Sequence, residues 1–105
     1  ITLTPPQGEF QASGSTVTFK IASTSASKLA FKVKTSNNEC YRVRPVFGFI
    51  TPNGTSDLEV QRLNGPPKND KLVIQWAEVP EEEVDPKAPF AAQAQQGEVL
   101  VVVEA

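Results

Sequence analysis

The chain has 105 residues, room for one domain and one core. Ten basic and twelve acidic side chains leave a net charge of −2, which excludes a surface given over to nucleic acid and confines any charge-driven partner to a local patch. There is no histidine and a single cysteine, Cys40, so an imidazole-based triad, a zinc site and an internal disulfide are excluded.

Along the chain, apolar and polar residues alternate in short runs bounded by Pro, Gly, Asn and Ser, and no stretch holds a helical period. Ile1–Thr4 and Glu9–Ala12 read as strands on either side of Pro5-Pro6-Gln7-Gly8. Thr16–Ala22, Leu29–Thr35, Tyr41–Pro45 and Phe49–Thr51 follow, then Ser56–Leu63, Lys71–Val79 and Gly97–Glu104. The segment from Pro80 to Gln96, with prolines at 80, 86 and 89, reads as a long loop with room for one helical turn. Seven or eight short strands at this spacing predict an all-β fold, an immunoglobulin-like β-sandwich occupying residues 1–105 as a single domain. Without a Cys–Trp–Cys core a true immunoglobulin domain is disfavoured.

A strand sends successive side chains to opposite faces, so Phe31 and Val33 oppose Lys32 and Lys34, and Tyr41 and Val43 oppose Arg42 and Arg44. Leu72, Ile74 and Trp76 likewise oppose Lys71, Val73 and Gln75. The apolar sets are the expected core. The segment Ala30–Pro45 carries a local charge of +3. Its basic side chains read either as the solvated side of half-buried strands, with lysine discouraging edge pairing, or as a binding face. If Lys71–Val79 lies beside Leu29–Thr35, then Lys71 joins the basic strip and Val73 is an apolar spot within it, a combination suited to an extended peptide.

The residues from Trp76 to Ala105 carry a net −6, concentrated at Glu81, Glu82, Glu83 and Asp85. This run reads either as a solvated loop or as the acidic half of a contact. If the basic and acidic segments lie on different sides of the molecule, a head-to-tail contact between copies follows. Val99–Val103 is apolar at consecutive positions, which predicts a strand covered on both faces, with Glu98 and Glu104 as charged gatekeepers. Adjacent glutamates in a Pro-rich loop lack the burial that would separate two carboxyl acidities, and the glycines are scattered singly. No catalytic residue, metal or cofactor is expected. A lone thiol and no membrane-length apolar run point to a cytoplasmic protein with no direct membrane insertion.

Taken together, LTPPQGEF, FKVKTS, YRVRP, the G-x-I-x-P element Gly48–Pro52 and NDKLVIQW resemble the major sperm protein domain family, over about Leu3 to Trp76. That family also includes the VAMP-associated proteins of membrane contacts. The short length and the W-x-x-x-P tail, Trp76 to Pro80, are more similar to the small sperm-specific proteins of nematodes. The resemblance implies a seven-stranded sandwich and, in the sperm branch, a cytoskeletal or accessory role in filament-based motility without nucleotide hydrolysis. In the membrane-contact branch the corresponding strands bind acidic peptides carrying phenylalanine, which implies partner-binding positions at Lys32, Lys34, Thr35, Ser36, Lys71 and Val73, with Arg42 and Arg44 as further basic candidates. Asn38 stands where that branch has proline, and Gln95, Gln96 and Glu98 replace basic residues near its final strand. Two readings follow: a non-enzymatic sperm cytoskeletal protein whose partners are other proteins, including its own copies in filaments, or a monomeric module for acidic, phenylalanine-containing peptides.

Overall fold

Proline marks several of the places where the chain changes sheet. The computed structural model describes all residues, Ile1 to Ala105. It contains β1 (Thr2–Thr4), β2 (Gly8–Glu9), β3 (Ser15–Ala22), β4 (Lys28–Thr35), β5 (Tyr41–Arg44), β6 (Phe47–Ile50), β7 (Thr55–Arg62), β8 (Asp70–Val79), the short helix α1 (Ala88–Ala91) and β9 (Gly97–Glu104). One sheet has the order β1-β3-β7-β5 and the other β2-β9-β8-β4-β6. β1 pairs with β3 in the first sheet, Pro5 and Pro6 follow without the N–H groups a ladder needs, and β2 resumes in the second, parallel to β9. Pro45 marks the same change between β5 and β6.

β3 to β9 are the seven strands expected of the sandwich, and β1 and β2 are short additions at its edges. The sequence reading set β6 at Phe49–Thr51. The observed strand is Phe47–Ile50, because Leu29 to Lys32 of β4 pair with Ile50 to Phe47.

Between the sheets lie Phe19 and Ile21 from β3, Leu29, Phe31 and Val33 from β4, Tyr41 from β5, Leu58 and Val60 from β7, Leu72 and Ile74 from β8, and Val101 and Val103 from β9. The expected inward residues Val43 and Trp76 are partly buried and pack against this cluster. No helix is long and apolar enough to cross a membrane.

Two glycines make room for aromatic rings in the core. Gly48 lies opposite Phe31, and a Cβ there would come within 2.7 Å of its ring. Gly97 lies opposite Trp76, and a Cβ there would approach the indole to 2.6 Å. Replacing Gly97 with valine is expected to displace the indole and to cost about 1–3 kcal/mol, the range for overpacking. Trp76 is the sole tryptophan, so a changed emission maximum together with a lower denaturation midpoint checks this directly.

Candidate protein-contact face

The antiparallel register of β4 against β8 places Lys34 opposite Val73 and Lys32 opposite Gln75. The register of β8 against β9 adds Leu100 opposite Val73 and Val102 opposite Lys71. Opposed residues share a face, so Lys32, Lys34, Lys71, Val73, Leu100 and Val102 all project from the outer side of the five-stranded sheet. The adjacency assumed from the sequence is therefore present, and the face is more apolar than the sequence suggested. Leu100 is 55% exposed and Val102 39%. The expectation that β9 is covered on both faces is overturned: Val101 and Val103 face the core and Leu100 and Val102 face outward, because nothing packs over this half of the sheet.

The other half of the same face is covered. Ala30 and Ala77, opposite one another, point outward yet are 0% and 1% exposed. The segment from Pro80 to Gln96 folds back over them. Lys28 Nζ donates to the carbonyls of Glu81 at 3.2 Å and Glu83 at 2.7 Å. Pro89 is buried, and the Phe90 ring lies 6.0 Å from that of Phe47. The ammonium of Lys28 sits 4.0 Å above the Phe49 ring, while Lys32 and Lys87 flank Phe47 at 5.5 and 5.6 Å. Small residues among the lysines, at Ala30 and Ala77, were the available sign that something packs here.

The remaining predicted site residues separate. Arg42 and Arg44 lie on β5 in the four-stranded sheet, so they do not join the lysines: a single basic surface over Ala30–Pro45 is not formed. The cause is the sheet change between β4 and β5. Arg44 pairs with Glu59 at 3.0 Å on an exposed surface, and Arg42 donates to the carbonyls of Asn38 and Tyr41. Thr35 and Ser36 serve the turn after β4. Thr35 Oγ1 accepts from Asn37 N at 3.1 Å, and Ser36 Oγ both donates to Asp70 Oδ1 at 3.1 Å and accepts from Lys71 N at 3.0 Å. They fix the edge of the face rather than lining its centre.

A buried polar group below this turn was missed. Asp70 is 5% exposed and accepts from Ser36 Oγ and Asn37 Nδ2, with Lys68 Nζ at 3.7 Å. Nearby Arg62, 1% exposed, donates to the carbonyls of Leu63 at 3.0 Å and Pro66 at 2.7 Å, and its guanidinium carbon lies 5.2 Å from the Tyr41 ring centre. The signal was the alternation Leu58, Val60, Arg62, which puts the arginine on the core side of β7. These groups close one end of the sandwich and anchor the turn beneath Lys34 and Lys71.

Two facing sheets, antiparallel except for the short β2–β9 pair, define an immunoglobulin-like β-sandwich, a fold shared with periplasmic chaperones. The chaperone SfaE has the same fold, with a TM-score of 0.68 over 98% of this chain and 56% of that one, at 7% identity. Within that class, the chain belongs to the MSP (major sperm protein) domain family, whose model matches residues 1–99. It is 64% identical over 101 residues to sperm-specific class P protein 31 of Caenorhabditis elegans, covering 96% of this chain and 94% of the relative. It is 60% identical to sperm-specific class P protein 34 of the same organism, with the same coverage. The structure of WR4, a C. elegans MSP family member, matches with a TM-score of 0.98 at 59% identity, over 100% of this chain and 96% of that one. Membership places the chain among non-enzymatic proteins.

Tyr41 reports on the closed end. Burial is the largest influence on its phenol and raises the pKa above the ordinary 10.0, Arg62 lowers it, and Asp70 raises it further. A raised phenol pKa contributes stability that is fully present below the unfolded value, and this is lost as pH climbs through the folded one. Tyr41 is the only tyrosine. Alkaline absorbance titration is therefore expected to show a phenolate midpoint above that of the urea-unfolded chain, with stability declining once pH exceeds the unfolded midpoint. A native midpoint equal to the unfolded one contradicts the buried placement.

Proposed function

We propose that this chain is a non-enzymatic protein of the sperm cytoskeleton, structural or accessory in role, and that it works in the sperm cytoplasm through protein–protein contacts made by the open half of the five-stranded sheet. One observation carries this reading. Lys34 and Lys71 border a patch formed by Val73, Leu100 and Val102, with the last two exposed. Isolated exposed leucines and valines are ordinary, but several side by side, with lysines along one border, make a surface suited to a protein partner. The names of the C. elegans relatives, sperm-specific class P proteins, supply the setting.

A second reading uses the same atoms. An acidic, phenylalanine-containing peptide would lay its carboxylates toward Lys34 and Lys71 and its ring on Val73 and Leu100, leaving the protein monomeric. Lys32 is less free for this, since its ammonium sits over Phe47.

Sedimentation across a concentration range, with and without such a peptide, separates the readings. Peptide affinity is expected to fall as salt rises past the ~10 Å screening length of about 0.1 M. The exposed double substitution Lys34→Glu with Lys71→Glu is expected to weaken binding by ~10-fold or more, because two attractive contacts become repulsive, each commonly worth up to ~1 kcal/mol. Binding and association that are both indifferent to this folded variant reject the open half as the contact surface.

A further inference from the structure

The two sheets have four edges, and three of them are short and closed off by proline. β1 has three residues and runs into Pro5, β5 has four and runs into Pro45, and β6 has four between Pro45 and Pro52. The fourth edge belongs to β2 and β9 together. β2 pairs with only Val103 and Glu104, because Pro5 and Pro6 carry the chain before it to the other sheet. The rest of β9 is therefore an edge of its own, without a proline and in unbroken register with β8 from Gly97 to Val103.

One hydrogen bond fixes the direction of its backbone groups. Phe10 N donates to Glu104 O at 2.7 Å, so Glu104 faces the β2 side and not β8. In an antiparallel ladder each residue turns its N–H and C=O to one side, and the next residue turns its pair to the other. Gly97, Val99 and Val101 therefore face β8, while Glu98 and Leu100 direct both groups to the side where no strand pairs with them.

The side chains beside this edge suit an added strand. Glu98 and Leu100 project outward and are exposed. Val99 projects inward but is only partly buried, as are Ile1 and Trp76, so the core is incompletely covered along this stretch. Ile1, Leu29 and Trp76 line a crevice of about 190 Å³ at the Gly97 end.

We propose that β9 from Glu98 to Val102 accepts an extended segment of another protein as an added strand in line with β2, one that sets a basic residue beside Glu98 and apolar residues beside Val99 and Leu100. Main-chain pairing supplies the affinity, and the alternating side chains supply the selection. The choice of a basic segment rests on charge: the outward column of β9 runs Glu98, Leu100, Val102, Glu104, with no cation in it. A second copy of β9 fits less well, since opposing Leu100 to Leu100 places Glu98 of each copy diagonal to Glu104 of the other. The head-to-tail contact between copies considered from the sequence required the basic and acidic segments on different sides, and Lys28 holds the acidic loop on the side that Lys34 and Lys71 share. The edge site goes beyond the preceding reading, which concerns the face of the sheet.

Amide exchange reads this edge directly. In the monomeric wild type the amides of Glu98 and Leu100 are expected to exchange fast and those of Val99 and Val101 slowly. The probe is a capped peptide, lysine-valine-valine-valine-lysine, which places a lysine beside Glu98 in either strand direction. It is expected to slow exchange at Glu98 and Leu100 and to shift the emission of Trp76, the sole tryptophan. The same peptide N-methylated at its three valines is expected not to bind. Leu100→Pro, which removes an N–H that β8 does not use, is expected to abolish binding. Glu98→Lys is expected to weaken it about fivefold, with a similar gain for the peptide that carries glutamate in place of lysine. Should Leu100→Pro fail to fold, Glu98→Lys and the N-methylated peptide decide. The face variant Lys34→Glu with Lys71→Glu is expected not to weaken binding, so edge and face are tested apart. Slow exchange at Leu100 in the free monomer, no protection on adding the peptide, or equal binding of its N-methylated form overturns the proposal. Protection that rises with protein concentration in the absence of peptide overturns the choice of occupant and gives the edge to a second copy.

Discussion

The register between β4 and β8 is the constraint on which the rest of this molecule depends. Opposing Phe31 to Trp76 and Val33 to Ile74 puts their side chains between the sheets, and the same pairing necessarily opposes Lys34 to Val73 and Lys32 to Gln75 on the outside. Core and contact face are two consequences of one ladder. A slip of a single residue would bury the lysines and expose Phe31. The desolvation cost of a buried unpaired ammonium therefore guards the register as firmly as the packing of the aromatics does.

On the outside of that ladder the chain distinguishes two halves by side-chain size. Ala30 and Ala77 leave space over the sheet, and Phe47 and Phe49 from β6 supply an apolar wall, so the segment after Pro80 can settle there with Pro89 and Phe90. Beyond Lys32 the outward residues are longer or charged and no chain covers them. The result is an asymmetric face on a small domain, raised and acidic at one end, low and partly apolar at the other. An uncovered apolar patch beside a free stretch of sheet edge is ordinarily an aggregation hazard. Here charge surrounds it, from Lys34 and Lys71 on the neighbouring strands and from Glu98 and Glu104 along β9.

The end of the sandwich nearest the open half is held by polar groups taken out of water. Asp70 ties the turn after β4 to the start of β8, and Arg62 ties the loop after β7 through the carbonyls of Leu63 and Pro66. Tyr41 sits between them, edge-on to Phe10 at 5.3 Å and beneath the Arg62 guanidinium. Such groups are costly to bury and costly to leave unpaired, so they specify one geometry for the turn that carries Ser36 and positions the end of the contact face.

Strand identity, the alternation that puts Phe31, Val33, Leu72 and Ile74 inside, and the family were all legible in the sequence, because a period of two and Pro- or Gly-marked turns are local properties of the chain. Lys32, Lys34, Lys71 and Val73 could likewise be assigned to the outward side of their own strands. Which outward sides coincide was not legible, since that depends on which strands become neighbours. The chain passes to the other sheet between β4 and β5, through the turn Ser36–Cys40, and this separates Arg42 and Arg44 from the lysines that precede them by a few residues. Val99–Val103 looked doubly buried because hydrophobicity alone cannot reveal that the residues after Pro80 would cover the far half of the sheet and leave Leu100 and Val102 bare. The sequence determined what each strand presents on its two sides. Tertiary structure decided which sides meet and which remain open, because long-range pairing and the path of one loop are set by the packing of the whole domain.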